Sequence, residues 1–257
     1  MIRFEHVTKY FGERKVLDKV NLRVETGETF VIVGFSGAGK SVTLKHIIRL
    51  LTPDIGRVYI GDEAISEATG RTLERLREQF GVLFQSGALL EWLSVGENVA
   101  LPLRERTAMT DAEIEVRVRE KLRLVNLEDV LNAAPSELSG GMRKRVGLAR
   151  AIVMNPRIIL YDEPTSGLDP VTSRSIDHLI DRMRQELKVT SVVVTHDLFS
   201  ALSIGNRIAM IYDGRIIELA KPSDFIKSQN EIVKSFLEAQ YINKRGAWER
   251  DDHETHE

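Results

Sequence analysis

Thr29-Phe30-Val31-Ile32-Val33-Gly34-Phe35-Ser36-Gly37-Ala38-Gly39-Lys40-Ser41 decides how the rest of the chain is read. A short, buried-type strand runs straight into glycines, and the stretch from Gly34 to Ser41 matches G-x-x-x-x-G-K-[ST] in full. Beyond it Leu44, Ile47, Ile48 and Leu51 recur at helical spacing until Pro53 stops them. Glycines let such a loop curl so that successive N–H groups face phosphate oxygens, and the following helix adds its positive end. In this arrangement Lys40 reaches the β- and γ-phosphates of a nucleotide, and the Ser41 hydroxyl ligates Mg²⁺.

A second stretch completes the chemistry. Ile158-Ile159-Leu160-Tyr161-Asp162-Glu163 is an apolar strand that ends in two acids. Unpaired carboxylates at the end of a buried strand are costly to desolvate, which a metal ion resolves. Asp162 is expected to hold Mg²⁺ through its water shell, and Glu163 to orient or deprotonate the attacking water.

Working outward, strands are expected over residues 2–8, 20–24, 58–62, 80–85 and 191–195, with a hairpin over 208–217 around Asp213-Gly214. Residues from about 89 to 155 read as helix. There Thr110 and Glu113 have capping-box spacing, and Ile114, Val118, Leu122 and Val125 mark one face. Ile176, Leu179, Ile180, Met183 and Leu187 line a further helix. Strands that alternate with helices imply a mainly parallel sheet covered on both faces, with the helical middle as an insertion.

Composition narrows the field. The 257 residues carry 36 Lys+Arg against 38 Asp+Glu, a formal charge of -2, and no cysteine. A disulfide framework and a thiol nucleophile are thereby excluded, and the charge balance argues against a generic polyanion binder while leaving room for a local basic patch. No run approaches the roughly 18 apolar residues of a membrane span, and residues 1–6 do not resemble a signal peptide, so the chain is expected to be soluble. Arg143-Lys144-Arg145 reads as a solvated helical face.

Leu138-Ser139-Gly140-Gly141-Met142, opening a helix shortly before the Asp-Glu strand, resembles the signature of ABC ATPases, the nucleotide-binding subunits of ABC transporters. Gln85 is similar to the Q-loop glutamine, Ser166-Gly167-Leu168-Asp169 to the D-loop, and His196 in Val194-Thr195-His196-Asp197 to the switch histidine. Phe11 stands where the family has an aromatic stacked on adenine, with Tyr10 beside it as a rival.

The resemblance covers almost the whole chain and implies an α/β P-loop NTPase. Its parts are a RecA-like core, an N-terminal antiparallel β-subdomain and an α-helical insertion within residues 1–240. It assigns ATP binding to Phe11, to Gly34, Phe35, Ser36, Gly37, Ala38, Gly39, Lys40, Ser41 and Val42, and to Ser139, Gly140, Gly141, Met142 and Asp169. Catalysis falls to Glu163, His196 and Gln85, and Mg²⁺ to Ser41, Gln85 and Asp162. Two copies are expected to pair head to tail, with Ser139, Gly140 and Gly141 of one closing over ATP held by Lys40 of the other. Met142 and Phe35 depart from the commonest family residues without removing a group that touches phosphate.

Phe84-Gln85-Ser86-Gly87-Ala88-Leu89-Leu90, Glu97-Asn98-Val99-Ala100-Leu101-Pro102-Leu103-Arg104-Glu105 and Ser228-Gln229-Asn230 resemble the ATPases of Mla/MCE-type lipid transporters. This implies a phospholipid or related substrate, a separate membrane permease, an MCE-domain partner, and a place on the cytoplasmic face of the inner membrane. Residues 86–99 would then line the groove for a permease coupling helix. The alternatives are an importer or exporter motor for another substrate and, less favoured given the missing coiled-coil insertion, cysteines and basic surplus, a soluble ABC ATPase acting on nucleic acid or in cluster assembly. Residues 241–257 read as a polar tail that includes Trp248, part of it expected to pack on the sister chain. His253-Glu254-Thr255-His256 lacks metal-site spacing.

Overall fold

The structure, a computed structural model, describes residues 1–240; the expectations for residues 241–257 lie outside it. In chain order the elements are β1 (Ile2–Phe11), β2 (Arg14–Val24), β3 (Thr29–Val33), α1 (Lys40–Ile47), β4 (Ile55–Ile60), β5 (Glu63–Ala64), α2 (Gly70–Arg77) and β6 (Phe80–Leu83). Then follow α3 (Val95–Arg106), α4 (Asp111–Leu124), α5 (Gly140–Ile152), β7 (Ile158–Asp162), α6 (Pro170–Leu187), β8 (Thr190–Val194) and α7 (Leu198–Ile204). The described chain ends with β9 (Arg207–Tyr212), β10 (Arg215–Ala220), α8 (Pro222–Phe225) and α9 (Glu231–Ala239).

Two sheets result. One is antiparallel and four-stranded, ordered β2-β1-β4-β5, and the other has six strands ordered β10-β9-β3-β8-β7-β6. In the larger sheet β9, β3, β8, β7 and β6 run parallel, and only β10 is antiparallel to its neighbour. Period-2 alternation sorts its side chains onto two cores. Val31, Val33, Ile159, Tyr161 and Val193 face the helices α3 to α7, whereas Phe30, Ile32, Ile158, Leu160, Val192 and Val194 face α1 and the smaller sheet. Each fully buried Val, Ile or Phe here contributes about 1.5–3 kcal/mol, so the strands that carry the site rest on the best-packed part of the molecule.

Sequence patterning located most elements but not all boundaries. β1 and β2 run longer than expected. Helix α1 ends at Ile47, short of Leu51, where Arg49 turns to φ +58°. Helix α2 had no apolar periodicity to announce it, because Leu76 is its one buried residue.

The helical stretch begins at Val95 rather than at Leu89, with a capping box between Ser94 and Glu97. Residues 89–94 form a loop pinned by the fully buried Asn98. Its amide accepts from Leu90 N at 2.8 Å and donates to the carbonyls of Leu90, Leu93 and Ser94 at 3.0–3.1 Å. Thr110 and Glu113 form the expected capping box on α4. No described helix is long and apolar enough to cross a membrane.

Candidate active site

Because β3, β6, β7 and β8 are parallel, their carboxyl ends meet at one edge of the sheet, the usual ligand crevice of an open α/β fold. Each delivers a polar group there: the loop of residues 34–39 after β3, Gln85 after β6, Asp162 and Glu163 at the end of β7, and His196 after β8. Gly39 caps α1 at φ +108°, pressed so close to β2 that a Cβ would meet Leu17 Cδ2 at 2.9 Å and Val16 O at 3.0 Å. No other residue fits there. The buried Lys40 Nζ donates to Gly34 O at 2.9 Å and Phe35 O at 3.1 Å, fixing the curl of its own loop, and lies 3.6 Å from Glu163 Oε1.

Ser41 Oγ donates to Asp162 Oδ1 at 2.8 Å, so a hydroxyl and a carboxylate oxygen stand side by side. Among the described residues no cluster of three or more His, Cys, Asp or Glu could cage a metal by itself. A pair of hard oxygens of this kind suits Mg²⁺, which takes one or two protein ligands and completes its shell with phosphates and water. Gln85 Nε2 donates to Ser166 Oγ at 3.2 Å.

Glu163 occupies the left-handed region at φ +48°, a conformation that costs a non-glycine residue of order 1–3 kcal/mol and persists only where its surroundings enforce it. Its N–H donates to Val194 O at 2.9 Å. Its Oε2 accepts from His196 N at 3.2 Å and pairs with His196 Nδ1 at 2.8 Å. The carboxylate is thus held between the Lys40 ammonium and the His196 ring.

Gly39, Lys40, Ser41, Gln85, Glu163 and His196 line a cleft of about 670 Å³ together with Val16, Phe35, Ser36, Gly37, Val42, Phe236, Ala239 and Gln240. The last three come from α9 and its end and were not anticipated as site residues. The signal was Phe35, a large apolar residue in a phosphate loop. Its ring meets Phe236 edge-on at 5.1 Å and Tyr212 at 6.1 Å. Gln240 adds a two-point clamp, donating to His196 O at 2.6 Å and accepting from Leu198 N at 2.8 Å.

Phe11 and Tyr10 lie outside the cleft lining, both partly exposed at the end of β1, each with a lysine ammonium 5.8 Å from its ring. Ser139, Gly140, Gly141, Met142 and Asp169 do not line it either. Ser139 caps α5 by accepting from Met142 N at 3.3 Å, and Gly141 lets α5 press on α6, since a Cβ would come within 2.5 Å of Thr172 Cγ2. Asp169 caps α6 through Val171 N and Thr172 N, both at 3.0 Å. Hydrogen bonds from the Thr172 hydroxyl and amide hold its carboxyl below the usual range. Residues 165–168 and 196–199 border an adjoining hollow of about 560 Å³.

The reading of residues 143–145 as a solvated face is corrected at Lys144, which is only 4% exposed. Its Nζ donates to Ser166 O at 2.7 Å and Glu163 O at 3.1 Å, and burial lowers its pKa to about 8 against the pull of the Glu163 charge. Run-of-charge patterning missed it because a lysine stem is as apolar as a leucine and buries on the inner face of α5.

A family model described as ABC transporter matches residues 17–166. The chain belongs to that family. It is 39% identical over 254 residues to a probable ribonucleotide transport ATP-binding protein of Mycobacterium leprae, covering 99% of this chain and 73% of that one. It is 41% identical over 249 residues to a methionine import ATP-binding protein of Francisella tularensis, covering 95% and 71%. Among solved structures, a dimeric ATP-binding cassette in a post-hydrolysis state bound to ADP and Pi matches with TM-score 0.79 and 38% identity over 86% of this chain and 99% of that one. The α/β cassette fold of the ABC transporter family is therefore that of this chain, and its enzyme class is ATPase, with ATP and Mg²⁺ as ligands.

Proposed function

We propose that this ABC ATPase drives lipid movement, most simply of a phospholipid, through a separate membrane permease to which it binds from the cytoplasmic face. Residues 1–240 form the motor, with the helical portion of residues 95–152 as its coupling arm. In the proposed cycle Lys40 and the N–H groups of residues 34–42 grip the phosphates, and Ser41, Asp162 and Gln85 hold Mg²⁺. When bound there, the ion would supply charge neutralisation to the phosphates. Glu163 accepts a proton from the attacking water, His196 orients the Glu163 carboxylate and senses the γ-phosphate, and Phe11 or Tyr10 stacks on adenine. Ser139, Gly140, Gly141, Met142 and Asp169 act on the nucleotide of a second copy in a head-to-tail homodimer, which would explain why none of them lines the chain's own cleft.

The observation that carries the transport assignment is the groove of about 350 Å³ between β6 and α3, bordered by Phe84, Ala88, Leu101, Pro102, Arg106 and Met154. Trp92 stands 78% exposed in the preceding loop. An apolar groove and an exposed tryptophan are each the usual mark of a protein contact, and a permease coupling helix is the occupant this reading gives them. The lipid assignment rests on the resemblance of residues 84–90, 97–105 and 228–230 to Mla/MCE-type ATPases, which also implies an MCE-domain partner. A second reading, import of a small metabolite, is favoured by the methionine and ribonucleotide names of the relatives.

The two separate in proteoliposomes that hold this chain together with a permease that co-purifies with it. ATP-dependent transfer of a fluorescent phospholipid, with no ATPase stimulation by methionine or ribonucleotides, is the expected result. Stimulation by either metabolite without lipid transfer overturns the lipid reading.

A further inference from the structure

Lys144 joins two parts of the molecule that the chemistry treats separately. It lies five residues after Ser139, so the helix that begins with Ser139-Gly140-Gly141 carries a buried ammonium a little over one turn further on. That ammonium is not spent on a carboxylate. It holds two backbone carbonyls, Glu163 O at 3.1 Å and Ser166 O at 2.7 Å, which are the two ends of the turn between β7 and the start of α6. A charged donor makes stronger bonds to carbonyls than a neutral one, and a buried ammonium satisfied only by main chain fixes that main chain firmly.

What it fixes matters. At one end of the turn is Glu163, whose left-handed backbone is strained and whose side chain is aimed by its own peptide orientation. At the other is Ser166, whose hydroxyl accepts from Gln85. A shift of α5 along its axis, or a rotation about it, pulls on both carbonyls together. Through them it moves the Glu163 carboxylate relative to Lys40 and His196, and the Gln85 amide relative to the Ser41–Asp162 pair.

We propose that Lys144 is a positioning residue that couples the Ser139-Gly140-Gly141 end of α5 to Glu163 within the same chain, so that closure of that end over the partner's nucleotide sets the base at the chain's own. The inference rests on the head-to-tail dimer above. Its consequence is cooperativity: each site becomes competent when the other is filled and closed. Lys144 touches no nucleotide in this scheme, and its effect passes through Glu163.

The test uses the full-length protein with Lys144→Met, which keeps the apolar stem and removes the charge, and Lys144→Gln, which keeps a donor. ATPase rate against ATP concentration gives kcat, KM and the Hill coefficient. Lys144→Met is expected to lower kcat by about 10- to 100-fold, the usual effect of misplacing a reacting group, with KM changed by less than about 3-fold. Its Hill coefficient should fall from near 2 toward 1, two sites being the ceiling. Lys144→Gln should recover part of both.

An unchanged Hill coefficient and kcat in Lys144→Met overturns the proposal. So does a loss shared equally by ATP affinity and thermal stability in both variants, since that marks packing alone. Sizing chromatography of Glu163→Gln with ATP separates the two layers. A monomer there removes the dimer reading itself, while a dimer with unaltered cooperativity in Lys144→Met removes only the role of Lys144.

Discussion

The strand-end cleft and the helical arm of residues 95–152 are held together in opposite ways. In the cleft nearly every functional group is bonded to another one: Lys40 to its own loop, Ser41 to Asp162, Glu163 to His196, and Gln85 to Ser166. Behind them stands a parallel sheet buried on both faces, so their positions are over-determined. The helical arm is tied to the sheet by apolar packing and by a few polar residues, chiefly Lys144 and Arg150, while Asn98 pins the loop at the arm's own start. Dense bonding suits groups that must act without reorganising. Sparse polar anchors on a packed helix suit a body that shifts between discrete positions. On the proposed function, chemistry is built on the rigid part and coupling on the other.

The sharpest way to break this contrast is at Glu163. Glu163→Gln keeps the shape of the side chain and removes the proposed proton acceptor, so ATP affinity should hold while turnover falls about 10²–10⁴-fold, the usual worth of a general base. Phosphate release in single-turnover conditions measures it. Retention of more than a tenth of the wild-type rate would mean that the catalytic assignment of the cleft is wrong.

Asn98 tests the arm. Asn98→Ala leaves the carbonyls of Leu90, Leu93 and Ser94 and the N–H of Leu90 without their shared partner, at about 1–3 kcal/mol for the buried groups stranded. Urea unfolding should report that loss. Basal ATPase of the isolated chain should move by less than about 3-fold, because none of residues 89–94 lines the cleft. Equal losses of stability and basal rate would erase the distinction between the two regions.

The same contrast explains what could be read from sequence. Gly34 to Ser41, Asp162-Glu163 and His196 were legible because each is a contiguous motif at the end of a strongly apolar strand. Local spacing placed the first two, and the resemblance to ABC ATPases placed His196. Lys144 and Gln240 were not legible, since their partners lie 19 to 22 and 42 to 44 residues away and are backbone atoms, which leave no trace in side-chain pattern. Helix α2 escaped for a third reason: it shows the protein almost no apolar face, so periodicity has nothing to register.

Asp177 offers a smaller effect at the border of the two regions. Its buried Oδ2 accepts from Arg174 at 2.9 Å and Ser200 Oγ at 3.0 Å, and Ser200 Oγ also stands 2.9 Å from Asp197 Oδ2. A hydroxyl has one proton to give, so two carboxylates compete for it. Burial pushes the Asp177 carboxyl up to about 6, opposed by Ser200 and Arg174 and reinforced by Asp197, with His178 the other titratable neighbour. The unfolded chain titrates this group near 4. Between those values the folded state binds more protons than the unfolded, so the group's contribution to stability is present below about pH 4 and lost as pH rises through about 6. Asp177→Asn should remove that slope and gain about 1–2 kcal/mol relative to wild type between pH 5 and pH 7, read as the difference of urea midpoints at the two pH values. A parallel pH dependence in both proteins would mean that Asp177 stays ionised.

Gln240 carries the least expected change and the finest resolution. It ends α9, outside every motif, yet its amide bridges the carbonyl of His196 and the N–H of Leu198 while Phe236, one turn earlier, packs edge-on against Phe35 of the phosphate loop. The cleft is therefore braced from a third side, by a helix that no strand end positions. Gln240→Ala removes two hydrogen bonds from a partly exposed clamp, each worth about 0.5–1.5 kcal/mol, and leaves the loop free to drift at His196 but not at Glu163, whose N–H is still held by Val194. A drop of about 3- to 10-fold in kcat follows if the histidine must be aimed, with ATP affinity unchanged because Lys40 and its loop are untouched. Phe236→Leu should do the reverse, weakening ATP affinity through Phe35 while sparing kcat. If both variants shift the same parameter, α9 is a single brace; if they split as stated, it carries two separable contacts, one to binding and one to the switch residue.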